Sequence, residues 1–179
     1  MHNDNYIVLN RLKQNIVTLA EAKRYLRIEA NDTDDDDIIS SMVATAVLMA
    51  ENYLGSCLHL QEIEQLLINF YGSVVDLKRK PVIKIEKIFI WSQSDVRKNI
   101  DKSLYSLDDR SGRVELSVPF ISNGLGVVYK AGYEDHELIP EPIKLGILNH
   151  IASLYDDRHL SVLPQASIFL YAPYRRVSL

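Results

Sequence analysis

The chain has 179 residues, a net charge of −4 and 47% hydrophobic residues. That is enough apolar material for one self-supporting core, and it argues against a largely disordered chain. An acidic balance gives no reason to expect tight binding through nucleic-acid phosphates. One cysteine, Cys57, excludes an intramolecular disulfide. The polar N-terminus lacks the apolar stretch of a signal peptide, and no run approaches the ~20 apolar residues of a membrane span.

Residues 1–17 show no clear periodicity and read as an N-terminal arm ahead of a single domain, 18–179. Thr18-Leu-Ala-Glu21 matches a capping box and predicts a helix over about 18–28. A second helix is expected over about 34–54. Ile38, Ile39, Met42, Val43, Ala46, Met49, Ala50 and Tyr53 recur at three- and four-residue steps there, and Gly55 stands at the left-handed C-terminal cap position. From about 58 to 131 the pattern turns to alternation. Val82–Trp91 alternates apart from an irregularity near Lys87. Asp108-Asp-Arg-Ser-Gly112 reads as a hairpin loop, and short strands joined by turns predict antiparallel pairing. Pro140 and Pro142 open a third helix, about 141–158, with Ile143, Ile147, Leu148, Ile151, Leu154 and Tyr155 on its inner face. Residues 165–179 form a tail that Pro173 should hold extended. The expected class is therefore α+β, mainly α: a three-helix bundle with an antiparallel β-rich insertion and an extended C-terminal tail.

Sites of chemistry are scarce. Asp32-Thr-Asp-Asp-Asp-Asp37 lacks the glycine and the glutamate that a calcium loop needs at its sixth and twelfth positions. Carboxylates in the first turn of a helix are better explained by its positive dipole end. His2, His59, His136, His150 and His159 form no metal-binding spacing. His150 reads as a partly buried packing residue and His159 as a solvated helix end. Gly124-Leu-Gly126 lacks the rest of a dinucleotide fingerprint and reads as a turn. Cys57 has no cationic neighbour in sequence and reads as inert. Lys78-Arg-Lys80 reads as a solvated loop more readily than as a phosphate contact. No catalytic residues, cofactor or metal are expected. Tyr171 to Arg176 combines aromatics, proline and paired arginines, a composition found at interaction hot spots. It reads equally well as a C-terminal element packed on its own domain.

The order of these elements resembles the phage head–tail connector, or head-completion adaptor, proteins, which also occur in prophages and gene transfer agents. The resemblance rests on Thr18-Leu-Ala-Glu-Ala-Lys-Arg-Tyr-Leu-Arg27, Asp37-Ile-Ile-Ser-Ser-Met-Val-Ala-Thr-Ala46, Glu51-Asn-Tyr-Leu-Gly55 and Lys80-Pro-Val82. It continues through Ala131-Gly-Tyr133, Ile139-Pro-Glu-Pro-Ile143, Tyr155–Arg158 and Pro173-Tyr-Arg-Arg176. It implies a non-enzymatic structural virion component: an oligomeric ring, twelvefold in the virion, beneath the portal. Its partners would be copies of itself, the portal protein and the next connector or tail protein. DNA would pass through the channel without sequence-specific binding and with no membrane involved. The protein would be found in the host cytoplasm during assembly and then in the virion neck. Under the same resemblance Tyr171, Pro173, Tyr174, Arg175 and Arg176 form the portal interface, and the segment contributes little to the domain's own stability. The competing reading is a small monomeric or dimeric regulatory or ligand-binding domain, with a pocket lined by Tyr25, Tyr53 and Tyr155.

Overall fold

The computed structural model describes residues 5–12, 15–91, 96–157 and 162–175. The chain divides into two compact units, one formed by residues 1–13 and 59–133, the other by 14–58 and 134–179.

The first unit is an antiparallel sheet of six strands: β1 (Asn5–Arg11), β2 (Gln61–Asp76), β3 (Val82–Trp91), β4 (Arg97–Asn99), β5 (Tyr105–Asp108) and β6 (Arg113–Ala131). The order is β1-β2-β6-β3-β4, with β5 also on β6. Its spine is the long β2–β6 ribbon. Gln61, Ile63, Gln65 and Leu67 alternate inward along β2. At Asn69 the backbone enters the left-handed region (φ 54°), and the inward phase moves to Phe70. Asparagine tolerates that conformation better than most residues. Farther along, β6 residues 116–119 stand against Ser73 alone, between the pairs Gly72↔Phe120 and Val74↔Glu115. Pro119, which has no N–H to give a ladder, lies in this break. On β3, the register shift between Ile85 and Lys87 is the irregularity its alternation predicted.

The second unit holds α1 (Leu19–Leu26), α2 (Asp36–Leu54), α3 (Glu141–Asp156), α4 (Gln165–Tyr171) and a 3-10 turn over Ala172–Tyr174. The capping box on α1 is formed. The Glu21 N–H donates to Thr18 Oγ1 at 3.1 Å, and the Thr18 N–H donates to Glu21 Oε2 at 2.7 Å. Partial burial pushes the Glu21 carboxyl up, but the Thr18 hydrogen bonds, with Lys144 and His136 nearby, outweigh it and hold the group below the usual carboxylate range. Gly55 caps α2 at φ 63°. Ile39, Ala46, Val47, Ala50 and Leu54 of α2 and Ile143, Ile147, Ile151 and Leu154 of α3 supply the core.

Two features of the expected class are corrected. The protein is not mainly α and not a three-helix bundle: helix and strand each take about 37% of it, there are four helices, and the antiparallel sheet, most of it set between α2 and α3 in the chain, is a full partner. The 16-residue β2 and the 19-residue β6 read as short pieces because Asn69 and the break at residues 116–119 interrupt their alternation. Nor is the C-terminal segment extended. Gln165–Tyr171 is a fourth helix, and Pro173 sits in the first turn of the 3-10 segment that follows it. A proline there has no hydrogen bond to lose and its φ is already suited to a helix. Residues 5–11, expected as an arm, form a strand. Tyr6-Ile-Val-Leu9 is β-prone, but all seven residues of β1 are exposed, so no alternation marks them in sequence.

Candidate assembly surfaces

The C-terminal segment is built around one contact between α3 and α4. Gly146 presents bare backbone in the middle of α3, and the Tyr171 ring lies on it. A Cβ at Gly146 would stand 2.3 Å from Tyr171 Cε1. The Ser167 hydroxyl donates to the Gly146 carbonyl at 2.8 Å. Tyr171 has 0% of its surface exposed, and its ring is 6.0 Å from that of Tyr53. Arg175 then closes over the Tyr53 ring, its guanidinium carbon 5.0 Å from the centroid, a distance suited to cation–π attraction. Tyr171 is thus core. This overturns the expectation that the whole segment stands apart from its own domain, because a side chain with no exposed surface cannot be offered to a partner. Pro173 and Arg175 are exposed and Tyr174 is half-buried. Arg176 lies outside the described residues. Phe169 of α4 is 71% exposed and adds an aromatic to this surface. Only its place on the outer side of a helix, where an extended tail was expected, reveals it.

The other sequence candidates resolve into structural roles. Within the acidic run, Asp36 pairs with Lys23 at 2.8 Å and Asp35 Oδ2 accepts from the Tyr155 hydroxyl at 2.7 Å. Lys23 is buried and also donates to the carbonyls of Ala30 and Asp32, tying the α1–α2 connection to α1. In the basic loop, the Lys78 N–H donates to buried Gln65 at 2.9 Å, the Arg79 N–H donates to the Tyr129 hydroxyl at 3.2 Å, and Lys80 Nζ donates to the Ser111 carbonyl. These bonds fix the loop against the sheet. Cys57 is buried. His136 Nδ1 lies 3.1 Å from Asp135, while His2 and His159 are outside the described residues.

Gly124-Leu-Gly126 is not a turn. It lies within β6, opposite Trp91 and Phe89 of β3. The two rings cross the strand and occupy the space above the glycines. A Cβ would stand 1.8 Å from Trp91 at Gly124 and 2.2 Å from Phe89 at Gly126. Arg97 of β4 stacks on Phe89 in turn, 4.7 Å from its centroid.

The tyrosines of the pocket reading go separate ways. Tyr25 bonds Asn149, Tyr155 bonds Asp35, and Tyr53 packs between Tyr171 and Arg175. Two clefts of the helical unit, one along Val17, Pro142, Leu145 and Leu148 and one along Leu19, Arg24, Arg27 and Ile28, contain none of the three.

His150 is buried on α3, and among the described residues neither ring nitrogen has a hydrogen-bond partner. Burial penalises the imidazolium and lowers its pKa below the ordinary 6.5. The unfolded chain therefore binds this proton at a higher pH than the folded one. Stability from His150 is full above about pH 6.5 and falls as the pH drops through that value. Denaturation midpoints measured from about pH 8 to pH 5 should decline across this window, and His150→Leu should flatten that part of the profile. An unchanged slope in the variant would assign the acid sensitivity elsewhere.

These contacts fasten the chain's own segments together. A family model described as phage gp6-like head-tail connector protein matches residues 16–125. The match spans more than half of the chain, and the chain belongs to that family: it is a structural component joining head to tail. No curated protein matches it in sequence. Solved structures of similar fold include a chain from the virion of a native gene transfer agent particle, with a TM-score of 0.78, 16% identity, and 97% of this chain and 96% of that one covered. A chain from the neck of an empty gene transfer agent particle with C6 symmetry has a TM-score of 0.76 at 17% identity, with 97% of both chains covered. One from the neck of the native particle with C12 symmetry has a TM-score of 0.73 at 17% identity, again with 97% of both covered.

Proposed function

We propose that the chain forms a closed ring, twelvefold in the virion, that sits beneath the portal, extends the DNA channel and receives the next connector or tail protein. The observation that carries this reading is the fold. It follows neck subunits from particles of C6 and C12 symmetry over 97% of its length, and its family is that of head–tail connectors. A ring subunit needs heterologous contacts that close by rotation. DNA slides through without base-specific contacts, the protein does no catalysis, and its final place is the virion neck after assembly in the host cytoplasm. Among the described residues, no helix is long and apolar enough to cross a membrane.

In this reading the portal meets the exposed C-terminal surface: Pro173, Tyr174 and Arg175, with Arg176 beyond the described residues and Tyr171 as the buried anchor that positions them. The arginines supply charge-assisted hydrogen bonds to carboxylates or carbonyls, and Tyr174 supplies apolar area. The test is co-sedimentation with assembled portal. Wild-type chain should travel with the portal. Tyr174→Ala/Arg175→Glu, with its thermal midpoint checked, should not. A folded variant that still co-sediments would move the portal contact elsewhere, and a wild-type chain that never associates would contradict the reading itself.

A further inference from the structure

Charge is divided between the two units. The sheet unit, residues 1–13 and 59–133, carries 13 Lys and Arg against 10 Asp and Glu, a net +3. The helical unit, 14–58 and 134–179, carries 7 against 14, a net −7. The overall −4 therefore hides two bodies of opposite sign.

Each unit also exposes an apolar surface. On the sheet unit it is the β1 edge. β1 pairs with β2 on one side and, among the described residues, with no strand on the other. Tyr6, Ile7, Val8 and Leu9 are all exposed, and Arg79 reaches over the Tyr6 ring. An edge strand this apolar is a liability unless something covers it. On the helical unit it is the outer stripe of α2. Asp37, Ile38, Ser41, Thr45 and Leu48 are exposed at helical spacing, and Glu29, Asp32 and Asp34 are exposed in the connection that leads into the helix.

We propose that copies of this chain join head to tail through these surfaces, the net-basic sheet unit of one copy laying its β1 edge against the outer stripe of α2 on the net-acidic helical unit of the next. The proposal rests on the ring reading above and supplies its lateral contact. The occupant is a second copy because each chain carries both halves of a pair, an exposed apolar strand edge on the net-basic unit and an exposed apolar helix stripe on the net-acidic one. A heterologous contact requires two such different patches on one chain, whereas a twofold contact requires one self-complementary patch. A covering helix is also one of the ways proteins protect a strand edge. Complementary fields steer the copies together and set their register more than they add affinity.

Sedimentation velocity of the full chain over a concentration series tests this. Wild-type assembly should weaken markedly between about 50 mM and about 500 mM salt. Leu9→Glu places a carboxylate on the β1 edge. Leu9 falls in the register shift between Val8 and Asn10, so the ladder with β2 is not altered. Leu48→Arg places a cation on the outer face of α2. Each variant should keep its fold by circular dichroism and need about tenfold or more protein for half-assembly, because like charges now meet. Mixing the two should restore assembly, since the new charges face each other and the untouched surfaces still match. If wild type forms rings and either variant forms them at the same concentration, this contact is wrong and the ring reading stands. If wild type remains monomeric at every concentration and on the portal, the ring reading fails and this contact with it. If both variants assemble as wild type while the chain retains duplex DNA through its sheet unit, the basic surface serves nucleic acid and the proposal is overturned.

Discussion

Replacing Tyr171 with alanine is expected to destabilise the helical unit by about 3–5 kcal/mol, the range for deleting a large buried aromatic side chain. The ring has no exposed surface and fills the space that Gly146 leaves on α3. Its removal would open a cavity between α3 and α4 and leave Tyr53 without its aromatic neighbour. Tyr171→Phe should behave in the opposite way. Among the described residues the hydroxyl is buried without a hydrogen-bond partner, and burial raises its pKa far above the ordinary tyrosine value. Removing a buried, unpaired polar group is neutral or stabilising. The phenylalanine variant should therefore match or exceed wild type, by up to about 1 kcal/mol. Chemical denaturation of both variants separates the two contributions. A phenylalanine variant as unstable as the alanine one would mean that the hydroxyl makes a bond on which the packing depends.

Gly126→Ala should be the more damaging small change in the sheet unit. A Cβ there meets the Phe89 ring at 2.2 Å, and Phe89 is almost fully buried beneath Arg97. The ring cannot move aside without lifting Arg97 or parting β3 from β6. Overpacking of this kind costs about 1–3 kcal/mol, and the backbone approach here puts the expected loss at the upper end. Phe89→Leu alone should also destabilise. The double variant should be less unstable than the sum of the two single changes, because the shorter side chain vacates the space that the new methyl needs. Strict additivity, measured by urea denaturation of the full cycle, would show that the ring and the glycine do not share that space.

These two sites show what the sequence could and could not convey. Signals that act within a few residues were legible: the Thr18–Glu21 box, the Gly55 cap, the proline start of α3 and the α2 stripe each reflect local hydrogen bonding or helical spacing. Gly124 and Gly126 were not legible as strand residues. What makes them glycine is a pair of rings from a strand more than thirty residues earlier, and sequence spacing carries no trace of that contact. The same holds for Gly146. It reads as a weak point in a helix until Tyr171 is seen lying on it. The C-terminal segment was misread for a related reason. Pro173 suggested an extended chain, yet proline is equally at home in the first turn of a short helix, and only the packing against α3 decides between them. On the exposed C-terminal surface, Pro173, Tyr174 and Arg175 were readable as a composition. The burial of Tyr171 and the exposure of Phe169 depend on the rotation of α4, which seven residues do not fix by themselves.

The measurement that bears most directly on the ring reading is electron microscopy of the purified chain mixed with assembled portal, with rotational symmetry determined from averaged end-on views. The connector reading predicts closed rings stacked on the portal, related by cyclic symmetry, with each subunit in the same orientation and a central channel open along the axis. A twofold dimer that neither closes into a ring nor binds the portal would contradict it.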